Sequence, residues 1–345
     1  MTASTSVFID ACLGKETEYT PVWFMRQAGR FLPSYMKLKG GRGVLEVAKD
    51  PKTAPLLVES AVEELGVDAA ILYADIMLPM EAIGVPLEIR ENVGPVILKP
   101  ISALADVAAL RRLDPSADMA YLGEVIQGTI ERLDGSVPLI GFSGAPFTLA
   151  AYLLEGGPSR DLRTTRRVMC SDPELWRALM TRLTETVITF LQMQVRYGVD
   201  AVQLFDSWVG CLSASDYETH VLPYTKEVFR SVQGVPKIHF CADSYPLLEK
   251  FHEAGPEVLS VDWRVPLDEV WRRCGDGVSA QGNLDPVLAQ VGGAAMNEAA
   301  SGILWRARGR RGHIFSLGHG VLPGTDPENL RELVNYVHEK TRIRR

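Results

Sequence analysis

Three stretches of the chain repeat one pattern of apolar and polar positions. "GVDAAILYAD" (66–75), "GVDAVQLFDS" (198–207) and "GPEVLSVDW" (255–263) each open on glycine, continue through apolar residues and reach an aspartate. Each follows a segment of helical spacing. The clearest is 173–197, where Leu175, Leu179, Leu183, Val187, Leu191 and Val195 recur at four-residue steps. Such steps keep side chains on one helix face, whereas an unbroken apolar run suits a strand buried on both faces. In "SDPE" (171–174), Ser171 and Glu174 fit a capping box with Pro173 in the first turn, and Gly198 fits the C′ position. Helix, glycine, buried strand, acidic strand end is the grammar of parallel βα units.

Five more stretches read as strands: "VWFMRQ" (22–27), "VPLIGFSG" (137–144), "VPKIHFCAD" (235–243), "GVSAQGNLD" (277–285) and "HIFSLGHG" (313–320). The spacing leaves room for a helix between neighbours. Eight such strands predict an α/β fold, a (β/α)8 TIM-type barrel, with a doubly wound open sheet as the alternative. One segment breaks the rhythm. "VPLEIRENVGPVILKP" (85–100) alternates apolar and polar residues around "ENVG" and predicts a β-hairpin inserted after the second strand. No linker or low-complexity tract interrupts 1–345, so the chain is expected to be a single domain.

The polar chemistry collects at strand ends. Arg26, Asp75, Ser143, Asp206, Ser207, Asp243, Asp262, Asp285 and His319 all fall at predicted C-terminal ends, the active-site face of a barrel. That alignment points to an enzyme. Around Arg26 the stretch "PVWFMRQAGRF" (21–31) sets two arginines in an apolar, aromatic context. A guanidinium removed from water needs an anionic partner, either an internal carboxylate or a ligand.

Composition narrows the classes. A net charge of −7 argues against a broad nucleic-acid surface, and the basic run "RARGRRGH" (306–313) reads as a solvated helix end. No stretch reaches the length of a membrane span, and the first residues lack the charged and apolar regions of a secretory signal. Five scattered cysteines without a C-x-x-C pair suit a reducing cytoplasm. "GFSGAPFTLAAYLLEG" (141–156) lacks the lysine of a phosphate loop and reads as strand, turn and helix, from which Tyr152 projects into either the core or a site. His239 and Cys241 share one strand face, as zinc ligands could or as a packed histidine and a buried thiol would. No cysteine falls at the end of any other predicted strand to supply a third ligand.

Together "PVWFMRQAGR", "YADI", "GFSGAPFTLAAYLLEG", "QLFDS", "QGNLDP" and "LGHG" resemble, in this order, the uroporphyrinogen decarboxylase family, over about residues 6–340. The resemblance implies a cytoplasmic homodimer of (β/α)8 barrels that removes four CO2 from the acetates of uroporphyrinogen III. Coproporphyrinogen III is then the product, with no metal and no organic cofactor. It implies a substrate-binding segment of Arg26, Gln27, Ala28, Gly29 and Arg30, and an aspartate, Asp75, that meets the pyrrole N–H groups. Tyr152, Ser207 and His319 complete the implied site, with Asp75, Arg26, Tyr152 and His319 as its catalytic members. The arginines then have anionic partners in the substrate's eight carboxylates, which guanidinium forks match well. The loop "MKLKGGRGV" (36–44) is expected to act as a lid, with Lys37, Lys39 and Arg42 attracting the substrate. Zinc-dependent methyltransferases of the same fold and a non-catalytic tetrapyrrole carrier are the rival readings.

Overall fold

A computed structural model describes residues 6–90 and 93–343. Its largest element of sheet is seven parallel strands: β1 (Ala70–Ile71), β4 (Leu139–Gly144), β5 (Ala201–Asp206), β6 (Lys237–Cys241), β7 (Val258–Val261), β8 (Ser279–Gln281) and β9 (His313–Ile314). They neighbour one another in that order, with helices in the connections. The gap between β9 and β1 is filled by the chain around Val22. Phe315 N–H donates to Pro21 O (2.8 Å), and Trp23 N–H donates to Phe315 O (3.3 Å). On the other edge Asp68 N–H donates to Val22 O (2.8 Å), so this segment is the eighth stave and the fold is a (β/α)8 barrel.

All eight predicted strands stand where the pattern put them, but each is shorter. The first is a single bridge at Val22 rather than 22–27, because the backbone turns at Arg26, whose φ is +65°. Between β1 and β4 comes the antiparallel hairpin of β2 (Leu87–Arg90) and β3 (Gly94–Ile97), which leans on the helix Pro146–Glu155 through Ile97 N–H to Gly156 O (2.8 Å). Of its expected turn, Glu91 and Asn92 lie outside the described residues.

The long helix spans Pro173–Arg196 and closes on Gly198, whose φ is +106°. Its cap differs from the expected one. Asp172, not Ser171, accepts the Leu175 N–H (3.1 Å), because Ser171 ends the preceding helix Arg163–Ser171 and donates back to Arg167 O. Leu175, Leu179, Leu183, Val187 and Leu191 are buried beneath it. At roughly 1.5–3 kcal/mol for each large apolar side chain removed from water, this face holds the helix to the sheet, and Gln194 adds hydrogen bonds with the Phe142 N–H (2.8 Å) and carbonyl (2.9 Å). Among the described residues no helix is long and apolar enough to cross a membrane.

Alternation along the strands separates two buried layers. Gln203 points into the barrel, where Gln281 Nε2 donates to its Oε1 (3.0 Å) and to Ser260 Oγ (2.8 Å), while Trp23 Nε1 donates to Gln281 Oε1 (2.8 Å). Nearer the C-terminal ends an aromatic arc follows: Phe142 on Phe205 (5.4 Å), Phe205 on Phe240 (5.8 Å) and Phe240 on His319 (5.8 Å). The opposite parity faces the helices. His239 packs there between Phe229 and Phe251, and Cys241 is buried on the same side.

Candidate active site at the C-terminal mouth of the barrel

The stave at Val22 delivers the arginine segment. After Met25 the backbone enters the left-handed region at Arg26, a conformation that costs a non-glycine residue about 1–2 kcal/mol. Gln27 pins the turn. Its Oε1 accepts the Phe24 N–H (3.2 Å) and its Nε2 donates to Ala69 O (3.1 Å), so the side chain is buried and spent on backbone. Ala28 is half-buried. Gly29 is held by close approach, since a Cβ there would lie 2.7 Å from Arg26 O. The turn brings Arg26 and Arg30 to the surface, so the expectation that both leave water is corrected. Arg26 makes no ion pair among the described residues; its stem lies across Gly320, where a Cβ would come within 2.6 Å of Arg26 Cδ.

Asp75 follows β1. Its Oδ1 accepts the Met77 N–H (2.8 Å), which starts the helix Leu78–Ala82, and its Oδ2 takes no hydrogen bond among the described residues. Burial raises the pKa of this carboxyl, against the opposing pull of the Met77 N–H and the Arg26 charge. His319 ends the stave after β9. The turn that carries it is tied to the arginine segment by Val321 N–H to Met25 O (2.9 Å). Burial, and then the Arg26 charge, push the imidazole down to about 4, so it is neutral at pH 7.

Tyr152 sits one turn along from Thr148 on the helix Pro146–Glu155. Its ring meets Trp208 edge-on at 5.8 Å, and burial raises its pKa. Thr148 Oγ1 donates to Asp206 Oδ1 (2.9 Å) and accepts the Trp208 N–H (3.4 Å), which ties the helix of Tyr152 to the chain on either side of the half-buried Ser207. Arg26 electrostatically influences Asp75, Tyr152 and His319 alike, which sets these three around one guanidinium.

Other strand-end groups have structural work. Ser143 is buried and donates to Gly144 O, and Asp285 caps the helix Pro286–Val291 through the Val287 N–H. Asp206 is buried on the helix side, with Oδ2 3.6 Å from His239 Nε2. Among the described residues no group of three or more His, Cys, Asp or Glu side chains has metal-holding geometry, and His239 faces away from the mouth. In the expected lid, Arg42 is bound to Asp50 (2.8 Å), Thr53 and the carbonyl of Leu38, so it anchors the loop instead of reaching for a ligand. The sequence reading passed over the aromatic arc, although phenylalanines two apart from inward-facing strand positions signal it. It also passed over Arg264, one residue beyond a predicted strand.

Comparison with known proteins adds a lineage. The family described as "Uroporphyrinogen decarboxylase (URO-D)" matches residues 3–340. The uroporphyrinogen decarboxylase of Streptomyces coelicolor is 49% identical over 338 residues, covering 97% of this chain and 95% of the relative. That of Thermobifida fusca is 48% identical over 343 residues, covering 99% and 94%. Among solved structures, a methyltransferase from Methanosarcina mazei superposes with a TM-score of 0.78 at 19% identity, covering 96% of this chain and 97% of the other, a likeness of fold.

Proposed function

The chain belongs to the uroporphyrinogen decarboxylase family, and from that premise we propose that it is a carboxy-lyase of porphyrin biosynthesis. It converts uroporphyrinogen III to coproporphyrinogen III and four CO2. We read residues 1–345 as one domain acting in the cytoplasm, as a homodimer, with no nucleic-acid or membrane partner. The observation that carries this reading is Asp75: a half-buried carboxylate at the barrel mouth with one oxygen engaged and the other open.

The chemistry follows from what losing CO2 requires. Breaking the bond between methylene and carboxylate leaves an electron pair that needs a sink. A pyrrole ring protonated beside its acetate is such a sink. The released pair neutralises the ring, and a proton then added at the methylene makes it a methyl group. The ring gives up the proton it first took, so one proton is consumed for each CO2 lost. Asp75 accepts hydrogen bonds from pyrrole N–H groups and opposes the positive charge that the ring acquires, an electrostatic contribution that grows toward the transition state. Arg26, always protonated, positions the reacting acetate. His319 donates an N–H as a neutral imidazole, and Tyr152 and Ser207 offer hydroxyls to peripheral carboxylates. Arg30 extends the cationic rim, with the backbone of Ala28 and Gly29 shaping it, and Gln27 serves by holding the turn. The reaction on this reading draws on no cofactor, because the substrate carries its own electron sink.

Anaerobic incubation of the purified protein with uroporphyrinogen III, followed by chromatography, should yield seven-, six- and five-carboxylate intermediates and accumulate the four-carboxylate product. Unchanged eight-carboxylate substrate would overturn the proposal.

A further inference from the structure

The loop after β7 carries Asp262, Trp263 and Arg264. It stands against the turn that bears His319: a Cβ on Gly318 would fall 2.3 Å from Trp263 N. Arg264 also helps Arg26 hold the His319 imidazole low, so both guanidinia act on the same ring. The side chain of Arg264 is half exposed, at 50%, and is held in a defined pose. Its guanidinium stacks 4.1 Å above the Trp263 ring, its backbone N–H donates to Asp262 Oδ1 (2.9 Å), and Nη1 is shared by Asp262 and Asp243, both at 3.2 Å. Among the described residues the polar contacts of the fork go through Nη1. Nε and Nη2 have no partner among the described residues. Beside it lies a cavity of about 280 Å³ whose wall includes Leu284, Leu288, Ile303 and Arg306.

We propose that Arg264 is a further carboxylate anchor for the substrate, gripping one peripheral carboxylate through Nε and Nη2 while Nη1 stays on Asp262. This rests on the uroporphyrinogen reading above. A guanidinium stacked on an aromatic ring keeps its edge free and pre-oriented, which is the arrangement that bidentate carboxylate recognition uses. The charge balance calls for such a group. An octacarboxylate meets Arg26 and Arg30 at the rim, and His319 brings a hydrogen-bond donor without a charge. Asp243 is exposed, at 59%, and shares Nη1 with Asp262. Its charge offsets part of the guanidinium's and repels a carboxylate that arrives at Nε and Nη2.

The competing explanation is a clamp that only joins the loops after β6 and β7. Steady-state kinetics under anaerobic conditions, with melting temperatures of the same proteins, separate the two. Arg264→Gln should raise KM for uroporphyrinogen III about tenfold, the scale of one charge-assisted hydrogen bond, with kcat within about twofold. Arg264→Lys keeps the charge without the fork and should recover part of that loss. Asp243→Asn, tolerant of the left-handed φ of +53° at this position, removes the competing carboxylate and should lower KM. If Arg264→Gln leaves KM within about twofold, or if Asp243→Asn raises KM as Arg264→Gln does, the anchor is overturned and the clamp stands. Should Arg264→Gln fail to fold, the Lys and Asp243→Asn variants decide between the same outcomes. A wild-type protein inactive toward uroporphyrinogen would instead refute the underlying reading, and the anchor with it.

Discussion

His319 and Asp75 lean in opposite directions with pH, and each sign follows from burial. The imidazole goes from an ordinary value of 6.5 to about 4 on folding, so between those values the unfolded chain binds more protons than the folded one. Stability contributed by neutral His319 is present above about pH 6.5 and drains away as the pH falls toward 4. His313, buried in the barrel wall and also pushed to about 4, adds to the same slope. Asp75 works the other way: its raised pKa means that the folded state holds a proton longer, and ionisation costs stability as the pH rises. The melting temperature of His319→Asn should therefore fall less steeply between pH 6.5 and 4 than that of the wild type. An identical slope in the two proteins would mean that His319 is not held neutral by its surroundings.

The turn from Phe24 to Gly29 shows which parts of an element a sequence discloses. "VWFM" reads as buried from composition alone, and it is. The arginines after it read as buried too, because nothing local announces that the backbone will turn left-handed at Arg26. That conformation is imposed from a distance, by Gln27 reaching Ala69 and by Gly29 lying against Arg26 O. Gln27→Leu keeps similar bulk but leaves the Phe24 N–H and Ala69 O without that partner. It should lower stability by about 1–3 kcal/mol and weaken substrate binding together, measured by denaturant unfolding and KM. A loss of stability with unchanged KM would detach the turn from the site. Capping was similarly hidden: Ser171 and Asp172 both suit an N-cap, and only the end of the preceding helix decides between them. The helix Pro173–Arg196 itself was plain, since its four-residue repeat is long and its apolar face continuous.

At the scale of the molecule, the order of eight staves and the inserted hairpin were legible, because parallel strands buried on both faces are nearly unbroken apolar runs. Which strand-end residues face the mouth was less so. Parity fixes it: Gln203 and Phe205 enter the barrel while Asp206 turns to the helices, and a one-residue error in register reverses that assignment. Arg264 escaped notice because its role depends on loops from β6, β7 and the last stave meeting in space. The whole barrel, with its net charge of −7, sets the Arg26 guanidinium beside the half-buried Asp75 carboxylate at its mouth. That juxtaposition is the core of the account, and replacing one atom of it is the most direct test. Asp75→Asn keeps the size and one acceptor oxygen while removing the charge and presenting an NH2 to the pyrrole N–H groups. With uroporphyrinogen III under anaerobic conditions, its kcat should fall by about 10²–10³-fold, the scale of losing one preorganised electrostatic contact. Its melting temperature at neutral pH should be no lower than that of the wild type, because a buried charge has been removed. A folded Asp75→Asn protein that turns over at nearly the wild-type rate would contradict the central role assigned to that carboxylate.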